Sequence, residues 1–327
     1  MKASPMPKSK TDYSTTLEND LDKIKWPVKA PFGFFGAKTR ISNKIIEHIP
    51  PHNCWVELFC GSAALTMAKA PARIEIINDV DDRIINFFEQ LRKKPKELCK
   101  AIALTPYARA EYQNSFKDEH KFGKFEKARR FLVANMMAIN ATPATSSGFS
   151  YSQSYARQGR EARVNRWYNL PDRMEQVVER LRSVRVENRD GIELLSMFRY
   201  RPATLVYLDP PYFMKRWHSY EIDANNDKQF HIDLLKQCRK SKCMLLISGY
   251  DNNLYNDYLT AERGWEKIII KASTKVATGK QYLRTEVLWK NAKAVKALEI
   301  GKVPIRLTEY EKKNKKINPE RKYVTQK

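Results

Sequence analysis

A chain of 327 residues with 60 Lys plus Arg against 37 Asp plus Glu has a formal charge of +23 spread over its whole length. That balance points to a polyanionic partner, and the length suits one large domain with an insertion or two smaller ones. The 5 cysteines, Cys54, Cys60, Cys99, Cys238 and Cys243, follow no regular spacing and form no Cys-x-x-Cys pair, which argues against a disulfide framework or structural zinc and for reduced thiols in a cytoplasmic protein. An apolar signal core and a membrane-length apolar run are both missing from the sequence.

Residues 1–25 are polar and glycine-free, and read as a tail or a short surface helix. An aromatic and glycine loop follows from Pro31 to Arg40, in which Phe34 offers a stacking face, Gly36 close backbone approach and Lys38 a cation, ahead of a helix marked by Ile41, Ile45, Ile46 and Ile49. Cys54 to Phe59 reads as a strand running into a small-residue turn and helix from Cys60 to Ala68. Strand, tight turn and helix in that order build the nucleotide-binding corner of α/β folds. The three-glycine dinucleotide spacing and the Gly-Lys-Ser/Thr phosphate loop are both absent.

A second strand, Arg73 to Asp79, ends in an acid suited to accept ribose hydroxyls, and Asp81 and Asp82 then cap a helix through Phe88. From Lys93 to Arg182 the strand pattern gives way to helices. They include Phe131 to Ile139, a loop of small polar residues after Asn140, and Arg157, Arg160, Arg163 and Arg166 at spacings of three, which on a helix would follow phosphates. Met174, Val177, Val178 and Leu181 mark an amphipathic helix before the strand Val184 to Asp190, whose acid suits the N-cap of a following helix, Ile192 to Phe198.

Leu205 to Phe213 is an apolar, β-branched run that stops at Asp209-Pro210-Pro211-Tyr212, since two prolines end both the ladder and any immediate helix. A carboxylate, a carbonyl freed from sheet pairing and an aromatic face then share one turn at a strand's carboxyl end. That set suits a planar amino-bearing group. Trp217, His218 and Tyr220 follow in a polar loop, Cys243 to Ser248 is another buried strand, and Lys267 to Lys271 with Thr285 to Trp289 form an antiparallel pair around a basic loop, Lys275 to Arg284. From Asn291 onward the lysine-rich sequence reads as a flexible basic tail.

Taken together, the Pro31–Lys38 loop, the Glu57-Leu58-Phe59-Cys60-Gly61 turn, Asp79 and the Asp209–Tyr212 motif resemble, in that order, the S-adenosylmethionine-dependent DNA adenine-N6 methyltransferases of the Dam type. The resemblance covers roughly residues 26 to 290. It implies an α/β fold with a Rossmann-like methyltransferase sheet, helices on both faces and an inserted, mainly helical target-recognition domain. The implied boundaries are a tail at 1–25, catalytic parts at 26–92 and 183–290, an insert at 93–182 and a basic tail at 291–327.

By the same resemblance Phe34, Gly36, Lys38, Glu57, Phe59, Gly61, Ser62, Asp79, Asp190 and Asp209 surround the cofactor, S-adenosylmethionine, and Asp209, Pro210, Pro211 and Tyr212 form the catalytic motif. Asn135 and Asn140, with Arg157, Arg160, Arg163 and Arg166, fall where the family meets double-stranded DNA; the family often acts as a monomer, and its reaction requires no metal. Ala37 and Ala63 stand where glycines are usual. The expected chemistry is direct methyl transfer to the N6 amino group of a flipped adenine, held by the Asp209 carboxylate and the Pro210 carbonyl and stacked on Tyr212. Cytosine-N4 transfer, an RNA substrate and a catalytically silent DNA-binding regulator are the competing readings.

Overall fold

The computed structural model describes residues 25–33, 38–139, 148–152, 159–211, 228–275 and 281–304, without the side chains of 272–275 and 281–284. The helices are α1 (Ser42–Ile46), α2 (Ala64–Ala68), α3 (Asp82–Lys93), α4 (Pro95–Leu104), α5 (Arg109–Asn114), α6 (Lys124–Met137), α7 (Ala162–Tyr168), α8 (Leu170–Leu181), α9 (Gly191–Phe198), α10 (Lys228–Lys240), α11 (Asn253–Tyr258) and α12 (Ala292–Ile300). The strands are β1 (Cys54–Glu57), β2 (Ile74–Asn78), β3 (Val184–Glu187), β4 (Thr204–Leu208), β5 (Met244–Gly249), β6 (Glu266–Lys275) and β7 (Gln281–Lys290).

They form a 7-stranded sheet in the order β3-β2-β1-β4-β5-β7-β6. The five strands from β3 to β5 are parallel, and β7 runs antiparallel to both β5 and β6. Chain order leaves β1 in both directions, through β2 to β3 on one side and through β4 to β5 on the other. A crevice therefore opens above the carboxyl ends of β1 and β4, where open α/β sheets receive ligands. The architecture is the expected Rossmann-like sheet.

Alternation along the central strands explains both packed faces. Val56, Val206, Leu245, Ile247 and Trp289 face one way into a core closed by α9, α10 and α11. Trp55, Leu205, Tyr207, Leu246 and Leu288 face the other way under α1, α2 and α12. On this second side Ile77 and Val184 continue the layer beneath α3, α4, α6 and α8. The helices between residues 93 and 182 thus share one apolar core with the sheet through Leu98, Leu132, Met174 and Val177.

A buried charge cluster adds a polar tie to the same layer. Arg180 of α8 donates to both oxygens of Glu75 on β2, at 2.5 and 2.9 Å, and to the Thr66 carbonyl of α2 at 2.7 Å. Lys69 reaches Glu75 at 2.6 Å.

One expectation fails here. The stretch after Asn291 begins with α12, not with tail: Asn291 accepts from the Ala294 N–H as N-cap, and its side chain also bonds Leu245 N and Cys243 O, fixing the helix to β5. Ala294 and Ala297 are buried, and Gly301 ends the helix at φ 66. The basic loop is also shorter than expected, because β6 runs to Lys275 and β7 starts at Gln281. All 5 cysteines are buried and unpaired. Among the described residues no helix is long and apolar enough to cross a membrane, and no cluster of metal-ligating side chains occurs.

Candidate active site

Parallel register sets the geometry of the crevice. Glu57 lies opposite Ile77 on one side and Tyr207 on the other, so two residues further on Asp79, Phe59 and Asp209 leave the sheet side by side. The Leu58 N–H still bonds Tyr207 O at 2.9 Å and the Cys60 N–H bonds Asn78 O at 2.8 Å, which keeps the three tips in step. Two strand spacings place Asp79 and Asp209 about 10 Å apart across the crevice.

Between them lies the β1–α2 turn. Gly61 at φ 48 and Ala63 at φ 53 both occupy the left-handed region, which explains why a glycine suits position 63 and why alanine there is strained. Asp79 holds the turn by accepting from the Gly61 N–H at 2.8 Å and the Asp81 N–H at 3.0 Å. Burial raises its carboxyl to about 6 despite these bonds. A carboxylate has about four acceptor sites, more than these backbone bonds fill, so a hydroxyl donor can still be accepted. Ser62 is buried with its hydroxyl unpartnered, a polar atom at the turn that a bound ligand would satisfy. These residues fit a nucleoside-bearing group.

Glu57 and Asp190, also expected at the cofactor, have structural partners. Glu57 is buried under the turn, where its carboxylate accepts from the Thr66 hydroxyl and, at 2.9 Å, from the Thr66 N–H. Burial lifts it to about 7, and its observed work is to pin α2 to β1. Asp190 caps α9 by accepting from the Glu193 N–H at 2.9 Å.

The Phe59 ring packs against Gly191 and meets Phe230 edge-on at 6.2 Å. A Cβ on Gly191 would stand 2.6 and 2.7 Å from two Phe59 ring carbons. Gly191→Ala is expected to cost about 1–3 kcal/mol through overpacking, read by thermal melting; a change below ~0.5 kcal/mol would mean the ring moves aside freely.

At the other end of the crevice, Lys38 is 4 % exposed and donates to both Asp209 oxygens, at 2.7 and 2.6 Å. Its ammonium also lies 3.3 Å from Glu286 on β7. Lys38, expected at the cofactor, is thus a buried counter-ion of the carboxylate in the Asp-Pro-Pro turn, and Glu286 went unnoticed in the sequence. Pro210 is buried and Pro211 exposed. Asn78 is a second omission: its amide bonds Leu58 O at 2.9 Å and accepts from the Arg189 N–H at 2.9 Å, tying the ends of β1, β2 and β3 together. Phe34, Gly36, Ala37, Asn140, Arg157, Tyr212, Trp217, His218 and Tyr220 lie outside the described residues.

Residues 34–276 match the model of the D12 class N6 adenine-specific DNA methyltransferases. The chain belongs to that family. This adenine-specific DNA methyltransferase is also similar in structure to a Haemophilus influenzae protein assigned as a methylase, at 10% identity over 80% of this chain and 91% of that one, with a TM-score of 0.35. A Pyrococcus horikoshii protein assigned as an RNA methyltransferase matches at 10% identity over 86% and 98%, with a TM-score of 0.35. A methyltransferase from Geobacter sulfurreducens matches at 10% identity over 88% and 90%, with a TM-score of 0.30.

The expected nucleic-acid residues of the methyltransferase divide into two kinds. Asn135 on α6 is 1 % exposed, gives its amide N–H to Phe131 O at 2.8 Å, and lines a cavity of about 710 Å3 between α3 and α6. Its side chain is thus away from the open surface. Of the arginines, Arg163 and Arg166 lie on α7, while Arg160 precedes that helix and its guanidinium covers the Tyr168 ring at 4.1 Å. The continuous helical track of arginines is therefore broken before Arg163.

Proposed function

We propose that this methyltransferase uses S-adenosylmethionine to methylate N6 of an adenine flipped out of double-stranded DNA, within a specific sequence. The observation that supports this reading most directly is the row Asp79, Phe59, Asp209 along adjoining strand tips, with the unpartnered Ser62 hydroxyl between. Gly61, Ser62 and Asp79 are assigned to hold the donor, Asp79 at its ribose hydroxyls. The donor supplies an electrophilic methyl group. Asp209 and the Pro210 carbonyl accept the two N–H bonds of the adenine amine, so that its lone pair is released from the ring and oriented for attack. Lys38 bonds both Asp209 oxygens and so holds the carboxylate in place at the strand tip. The helical stretch 93–182, with Arg163 and Arg166, is assigned to DNA recognition.

The test is incubation with tritium-labelled S-adenosylmethionine and duplex DNA, followed by nucleoside analysis. Label in N6-methyladenine is expected. Label in N4-methylcytosine, or transfer only to competing RNA, would overturn the reading.

Asp79 gives the donor site a pH signature. An ionised carboxylate accepts ribose hydroxyls better than a neutral one, and this carboxyl is raised to about 6. Donor affinity is expected to strengthen as pH rises through about 6 and to level off above ~7. Folding responds with the opposite sign: between the ordinary carboxylate range and about 6 the folded chain keeps a proton that the unfolded chain has lost, so stability from this group falls as pH rises. Calorimetric titration of the donor across that window measures the first effect, and Asp79→Asn should flatten it. A wild-type profile that is already flat would remove Asp79 from the donor site.

A further inference from the structure

Four arginines of the helical layer are matched by acids. Arg129 pairs with Glu111 and Glu126, Arg130 with Glu126, Arg180 with Glu75 and Arg182 with Glu179. Arg163, Arg166 and Arg173 differ: among the described residues none of the three has a carboxylate partner at ion-pair distance.

The three are nonetheless gathered together. Arg163 and Arg166 stand one turn apart on α7, and only Asn169 separates α7 from α8, near whose start Arg173 lies. All three are half-buried. Desolvation lowers the Arg166 guanidinium, the charges of Arg173 and Arg163 lower it further, and the group opposing them is the Tyr107 hydroxyl. Desolvation also lowers Arg173. Glu161 acts on the same Tyr107 hydroxyl but pairs with none of the three, and holding half-buried cations together with no ion-paired acid opposes folding, unless an anion completes the cluster.

We propose that Arg163, Arg166 and Arg173 form one convergent clamp for the sugar-phosphate backbone of the DNA substrate. The inference rests on the duplex-DNA reading above, adds Arg173 to it and leaves out Arg160. A phosphate diester has the charge and the acceptor oxygens that guanidinium forks take up, and its contact orients the duplex without reading sequence.

Fluorescence anisotropy with a labelled duplex between about 50 and 200 mM salt tests the clamp. In the full-length triple variant R163A/R166A/R173A, the slope of log affinity against log salt should shrink by about 2.7, or 0.9 per lost cation, and affinity at the low-salt end should drop ~10–100-fold. The triple Lys variant should keep the wild-type slope. Should the alanine triple fail to fold, R173A alone should reduce the slope by about 0.9.

An alanine triple, or a folded R173A, with the wild-type slope overturns the clamp; it would mean that the cluster takes only small free anions or none. A lysine triple that loses the slope overturns it as well, because charge would then not be the cause. If the wild-type chain binds and methylates duplex while the slopes agree, the clamp alone fails. If it binds no duplex, the substrate reading fails with it.

Discussion

Asp209→Asn is expected to lower the methyl-transfer rate at saturating donor and DNA by about 10^3-fold, as loss of one preorganised electrostatic contact at a reacting group does. The amide is the informative replacement because of Lys38. Its buried ammonium bonds both Asp209 oxygens and has Glu286 at 3.3 Å. Asparagine keeps one oxygen for Lys38 but presents an N–H2 where the substrate amine needs an acceptor, so orientation of the lone pair is lost while the shape of the turn persists. Asp209→Ala removes the carboxylate that bonds the buried Lys38 through both oxygens, and breaking that buried pair should cost about 3 kcal/mol of stability. A loss of activity in the alanine variant alone would therefore mix chemistry with unfolding. Single-turnover labelling of DNA together with thermal melting separates the two, and an asparagine variant within ~10-fold of wild type would remove Asp209 from the chemistry.

The parts of this fold that sequence reasoning finds are those whose local signal and tertiary role agree. Residues 54–57, 204–208 and 244–249 are apolar runs because both their faces are covered, and each ends where a polar residue, glycine or proline meets the crevice. Asp81 was legible as a helix cap for the same reason, whereas the bond by which Asp79 closes the tight turn was not read from the sequence. What escaped is long-range charge pairing. Lys38 and Glu286 stand at opposite ends of the chain, although Glu286 shares its strand face with the buried Leu288, and an acid on an apolar face was a usable sign of a buried cation opposite. The helix α12 was missed because its buried side chains are alanines among lysines, while its N-cap Asn291 and its terminal Gly301 were the available signals. The burial of Asn135 was hidden as well. Its amide turns back to the carbonyl four residues earlier, a local bond that spacing does not reveal.

Arg180→Met is expected to destabilise the chain by about 3–5 kcal/mol, the range for removing one partner of a buried ion pair. The periodicity of α8 gives Arg180 no special standing, yet the side chain is fully buried and makes three bonds, two to Glu75 and one to Thr66 O. Without it Glu75 keeps only Lys69, and an excess acceptor remains in a place water does not reach. The Thr66 carbonyl loses its donor too, at the residue whose hydroxyl and N–H hold Glu57 and so fix the turn above β1. The damage should then reach the donor site, as weaker S-adenosylmethionine binding in whatever fraction stays folded. Replacing Lys69, Glu75 and Arg180 together by apolar residues of similar volume should recover most of the stability, because no buried charge is then left unmatched. Urea unfolding of the single and triple variants measures both effects. A single variant that loses less than ~1 kcal/mol would show that the cluster is not what couples α8 to β2, and that the shared apolar core of Met174, Val177 and Ile77 is sufficient.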